Sequence, residues 1–195
     1  MQLKQPLSVR ILLIILLLSS AKSFSNNLVE TIAKVKPSVV GLGIYTPTGR
    51  PQHKITGTGF AILDGTFVVT NHHVVPPILD DTLLQEFVVY IGNGKTPDIR
   101  KSKVIASSDY HDLAILKIEG KPIPPMTLAA DGYLKEGMPT AFTGFPIGAV
   151  LGLYPVTHRG IISAVSPVVI PTDSASSLNV KMLKRLRNPY LVYQL

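Results

Sequence analysis

Two histidines stand side by side in FVVTNHHVV, residues 67–75. Imidazole ionises near neutral pH, so it serves as general base, general acid or metal ligand. A base needs a third group that holds its tautomer and steadies the cation it becomes, usually a buried carboxylate. Asp112 is the best-placed candidate. It follows the polar loop SSDYH and begins the run DLAILKI, where an unpaired charge is costly. His73, on a turn just after a strand, is well placed to pair with it. A metal site built from His72, His73, His111 and Asp112 is the competing reading, since zinc hydrolases use such ligands. Adjacent histidines rarely serve one ion and no HExxH helix occurs, so no metal and no cofactor are expected. The chain has no cysteine, which removes a thiol nucleophile, disulfides and Cys-ligated zinc.

The elements that carry these residues are short and β-rich. NLVETIAKV, residues 27–35, reads as a helix with Asn27 as cap, Glu30 at capping-box spacing and Pro37 as its stop. SVVGLGIYT (38–46), ITGTGFAIL (55–63) and TFVVT (66–70) read as strands, the last two joined by a turn at Asp64-Gly65. EFVVYI (86–91), KSKVIAS (101–107) and DLAILKI (112–118) follow, the last too apolar for a wet face. KPIPP (121–125) reads as an extended linker between two halves. The second half contains MPTAFTGFP (138–146) and YPVTHRGIISAVSP (154–167). Strands at this spacing, with 15 Gly and 16 Pro, specify an all-β barrel or sandwich.

Charge excludes one class of partner. The formal charge is +7, but residues 26–180 carry 12 basic and 12 acidic side chains, so the body is neutral and no nucleic-acid surface is indicated. Lys4 and Arg10 precede ILLIILLL (11–18) and the small-residue stretch SSAKSFS (19–25), the pattern of an export signal over residues 1–25. Eight apolar residues fall short of the roughly 20 that span a bilayer, so no stable membrane anchor is expected after cleavage. The mature chain is expected to be exported, periplasmic or secreted.

Three blocks carry a resemblance: GTGFAILDGTFVVTNHHVV (57–75), SSDYHDLAILKI (107–118) and GMPTAFTGFPIGA…VTHRGIISAV (137–165). In order and spacing they resemble the HtrA (Do/Deg) family of trypsin-like serine proteases, over about residues 27–173. The resemblance implies an all-β, trypsin-like double β-barrel with its site in the cleft, the first barrel complete over 26–120 and the second incomplete over 121–195. It implies that His73 is the catalytic base and Asp112 the catalytic carboxylate. His72 then faces away, as neighbours in an extended segment do, and Asp109 and His111 are solvated. Polypeptide substrates, unfolded chains among them, are the implied partners, and a homo-oligomer follows by analogy alone.

The family's nucleophile sits in a GNSGG-like turn, whose glycines let two N–H groups converge on the oxyanion. Here Gly160 is the last glycine, and Ser163, Ser166, Ser174, Ser176 and Ser177 after it adjoin none. Ser163 matches a family strand. TDSASSLN (172–179) resembles the approach to the nucleophile turn, but KMLKRLR (181–187) and the strand-like YLVYQL (190–195) follow, the latter read as an edge with no partner. The expectation is a serine-type endopeptidase fragment lacking its serine and inactive as written. The alternative is a non-catalytic, chaperone-like binder. A basic amphipathic helix at 181–187 on an anionic membrane is disfavoured, because seven residues make less than two turns. N-terminal sequencing of the exported fraction should place the mature start between Lys22 and Asn26; intact Met1 on a cytoplasmic protein would overturn the export reading.

Overall fold

The computed structural model describes residues 23–94, 96–146, 153–168 and 189–195. The apolar run 11–18 and the basic run 181–187 lie outside them. Helix α1, Ser23–Val35, is a unit of its own, separate from the unit that starts at Lys36. It begins four residues before the expected cap, so Asn27 lies inside the helix. A 3-10 turn, Lys36–Ser38, replaces the helix at Pro37, whose ring cannot continue it.

Among the described residues ten strands follow: β1 Val39–Tyr45, β2 His53–Ile62, β3 Phe67–Thr70, β4 Glu86–Ile91, β5 Asp98–Ser108, β6 Leu113–Ile118, β7 Pro139–Gly144, β8 Val156–Ile161, β9 Ala164–Pro167 and β10 Leu191–Gln194. The first six form a closed barrel in the order β1-β2-β3-β6-β5-β4, with β1 bonded to β2 on one edge and β4 on the other. Closure leaves none of these strands with an open edge. The expected all-β class and first barrel are therefore present. Among the described residues the second half forms two-stranded sheets, β7–β8 and β9–β10.

Alternation supplies the core. Val40 and Leu42 of β1, Phe87 and Val89 of β4, and Leu116 and Ile118 of β6 point inward with Ala61, Val68 and Val74, because residues two apart share a face. DLAILKI was expected to lack a wet face. Instead β6 alternates, and Leu113 at its rim is 48% exposed. The 121–125 segment is extended but is no free linker. Ile123 enters the barrel core, and its N–H bonds the carbonyl of Gly65. A Cβ on Gly65 would stand 2.0 Å from the Ile123 carbonyl oxygen, so only glycine, here at φ +80, admits this approach. YLVYQL is not an unpartnered edge: β10 pairs antiparallel with β9, Leu191 opposite Pro167 and Gln194 opposite Ala164.

The outward face of β1 and β4 is also covered. Tyr90 is 1% exposed and its hydroxyl hydrogen-bonds Nδ1 of His53 at 3.2 Å. Burial, with Tyr45 adding repulsion, pushes the Tyr90 phenol up to about 12. The folded value exceeds the ordinary value near 10, so the neutral phenol favours the fold. That contribution is complete below about pH 10 and is lost as pH rises through about 12. Urea titrations from pH 9 to 12 should show the native chain losing about 2–3 kcal/mol more than Tyr90→Phe; equal losses would refute this.

Candidate active site

His73 and Asp112 lie 39 residues apart and meet because β3 and β6 are neighbours. Thr70 at the end of β3 stands opposite Ala114 near the start of β6. Residues just beyond Thr70 therefore arrive beside residues just before Leu113. Nδ1 of His73 lies 2.7 Å from Oδ2 of Asp112, and the backbone N–H of His73 donates to Oδ1 at 3.0 Å. One carboxylate thus holds both the ring and the main chain of the same residue. With Nδ1–H given to the carboxylate, Nε2 keeps its lone pair, the tautomer a general base requires.

The carboxylate is not fully buried as expected. Its side chain is 26% exposed and that of His73 68%. Three donors offset the partial desolvation: the two from His73 and the Nδ2 amide of Asn71, 3.5 Å from Oδ2. Asn71 also donates to the Asp112 carbonyl at 3.0 Å. Asp112 has φ +55, the left-handed region, which Asp tolerates better than most residues. Asn71 was not singled out by sequence reasoning, although it lies inside the TNHHVV block that would have signalled it.

A 3-10 turn, His72–Val74, carries the histidines, closed by the Val74 N–H to Asn71 carbonyl and Val75 N–H to His72 carbonyl bonds. An extended segment would also make the two rings diverge. They do diverge, but through a tight turn, in which successive side chains point about 120° apart. His72 turns to Ser107, with Nδ1 2.5 Å from Oγ, and to Asp109, 3.7 Å from Nε2. Val74 anchors the turn in the barrel core. Its methyls lie over Gly57, where an added Cβ would meet them at 2.5 and 2.7 Å. This explains the bare position in the GTG segment.

The histidines of the metal reading thus have separate partners. His111 faces Ser108, with Nδ1 3.1 Å from Oγ, and its ring packs on Tyr110 and Tyr190. Among the described residues no three His, Asp or Glu side chains converge as a metal would need. Tyr190, which no local sequence signal marked, also packs on Tyr110 and covers the loop before Asp112. Ser163 lies between β8 and β9, its N–H bonded to the Gln194 carbonyl, and Ser166 Oγ accepts from Gln194. Ser174, Ser176 and Ser177 lie outside the described residues.

This barrel, with a His–Asp pair at the ends of β3 and β6, is that of a trypsin-like peptidase. The chain belongs to that family: residues 57–184 match the trypsin-like peptidase domain. Within it the chain is HtrA-like. It is 32% identical over 126 residues to a "probable periplasmic serine endoprotease DegP-like" of Chlamydia muridarum, covering 64% of this chain and 23% of that protein. The protein of the same name from Halomonas elongata is 30% identical over 122 residues, 63% of this chain and 23% of that one. The crystal structure of Deg5 superposes with a TM-score of 0.59 at 27% identity, over 77% of this chain and 68% of that one. The HtrA-type protease AlgW, solved with a decapeptide, is 22% identical at TM-score 0.53, over 69% of this chain and 44% of that one, and supports the fold alone. The chain spans about a quarter of the length of these curated relatives.

Asn71→Ala should cost about 0.5–1.5 kcal/mol and speed amide hydrogen exchange across residues 109–113. Unchanged exchange there would show that Asn71 does not hold the Asp112 loop.

Proposed function

We propose that this protein supplies the base and carboxylate of an exported, HtrA-type serine endopeptidase, with His73 as general base and Asp112 as its orienting partner. The 2.7 Å contact between Nδ1 of His73 and Oδ2 of Asp112 carries the reading. Nε2 would take the proton of an attacking serine hydroxyl and return it to the leaving amine. Asp112 would hold the ring and stabilise the imidazolium formed between the two steps. The pair belongs to the closed barrel of β1–β6, and the residues after it are proposed to contribute part of a second. Export after cleavage of residues 1–25 agrees with the periplasmic naming of the relatives.

No serine in the sequence adjoins a glycine, so neither a nucleophile turn nor its oxyanion hole can be assigned. Residues 26–195 alone are therefore proposed to be inactive. Removing triad members normally leaves roughly 10³–10⁴-fold acceleration, but that remainder depends on the oxyanion hole and substrate binding. The alternative, a non-catalytic binder of unfolded chains, draws support from exposed Phe142, Val156 and Ile161 on β7 and β8.

Two polypeptides test this: residues 26–195, and the same chain extended through a GNSGG-type turn. Casein should remain intact with the first. The second should cleave it, with activity abolished by His73→Ala and lowered about 10⁴-fold by Asp112→Asn. Cleavage by the shorter chain that His73→Ala removes would place the nucleophile elsewhere. Binding of unfolded casein without cleavage by either chain would favour the binder.

A further inference from the structure

Beside the His73–Asp112 pair lies a second group of the same residue types that the protease reading does not use. Ser107 near the end of β5, 35 residues after His72 on the 3-10 turn, comes together with that histidine and with Asp109 in the following loop. Oγ of Ser107 lies 2.5 Å from Nδ1 of His72, and Oδ1 of Asp109 lies 3.7 Å from Nε2. For Ser107 to donate, Nδ1 must be unprotonated, so the ring proton sits on Nε2 and faces Asp109. That is the tautomer a base toward Ser107 needs, with a carboxylate on the side where the cation's charge develops. The ring nitrogens have exchanged the roles they hold at His73, where the carboxylate takes Nδ1. His72 is 40% exposed and Asp109 59%, and Ser107 is also exposed, so a small reagent can reach the hydroxyl.

We propose that Ser107, His72 and Asp109 form a second nucleophilic site, with Ser107 as nucleophile and His72 as its general base toward small activated acyl and phosphonyl esters. With a fluorophosphonate, the Ser107 Oγ–P bond forms and the P–F bond breaks. Fluoride departs, and the serine proton passes to Nδ1 of His72. With an activated ester, the Oγ–carbonyl carbon bond forms and the bond to the leaving oxygen breaks; the serine proton passes through His72 to the departing alcohol or phenol, and water later hydrolyses the acyl-serine to the free acid and the Ser107 hydroxyl. An activated leaving group needs no dedicated oxyanion hole, which suits an open surface site. The bound His72 base should contribute about 10²–10⁴-fold in rate.

The test is labelling of the purified full-length chain with a fluorophosphonate, followed by peptide mapping by mass spectrometry. The expected adduct lies on Ser107 and is absent from Ser107→Ala. His72→Ala should slow labelling at least about 10²-fold, and added imidazole should restore part of the rate in that variant. Such rescue reports a missing base, which a merely structural role would not show. Asp109→Asn should slow labelling only a few-fold, because the charge is exposed and screened. No adduct on Ser107, an adduct only on another serine, or wild-type labelling of folded His72→Ala would overturn the proposal. The site uses neither His73 nor Asp112, so its failure leaves the protease reading intact.

Discussion

Closure of the six-stranded barrel is the constraint on which the site depends. Within it β3 and β6 are hydrogen-bonded neighbours, and the pairing of β1 with β4 closes the ring. The Thr70–Ala114 register then delivers Asn71, His73 and Asp112 to one rim. The same register places Val68 beside Leu116 inside the barrel. A slip of one residue would turn both out of the core and carry the catalytic candidates away with them. Hydrophobic burial therefore sets the geometry of the polar pair.

Val74 links the two levels most directly. It is a core residue one position after His73, and it fits because Gly57 has no side chain for its methyls to meet. Packing of Val74 holds the 3-10 turn, and the turn aims two adjacent imidazoles at different carboxylates. His73 receives a two-point grip from Asp112, while His72 lies against Ser107 and Asp109. Identical chemistry at neighbouring positions is separated by backbone shape.

Both members of the His73–Asp112 pair come from the closed barrel, so their pairing draws on its core. The second half contributes elsewhere. Phe145 donates its N–H to Oγ1 of Thr58 at 2.9 Å, and Tyr190 rests on Tyr110 and His111 next to Asp112. The match to the trypsin-like peptidase domain is spread over both halves, since it runs from residue 57 to residue 184. Residues 191–194 add a strand, β10, that pairs with β9.

Much of this was legible in the order of residues. β4 falls on EFVVYI, residue for residue, because a β-branched run ending in Gly-Asn-Gly has one local solution. The pairing of His73 with Asp112 was an expectation carried by the resemblance of three blocks, since residue types alone left a metal reading open beside it. Other features needed the closed fold. The alternation of β6 was hidden because every outward position but Lys117 is also apolar, and composition does not distinguish a covered face from a rim. The partner of YLVYQL, the entry of Ile123 into the core and the contact of Tyr190 with the Asp112 loop depend on segments distant in sequence. Sequence determined which groups could act as base and carboxylate, since that is a property of residue type. Tertiary structure alone decided which imidazole each carboxylate faces, because that orientation follows from β-sheet register and from the packing of Val74 on Gly57.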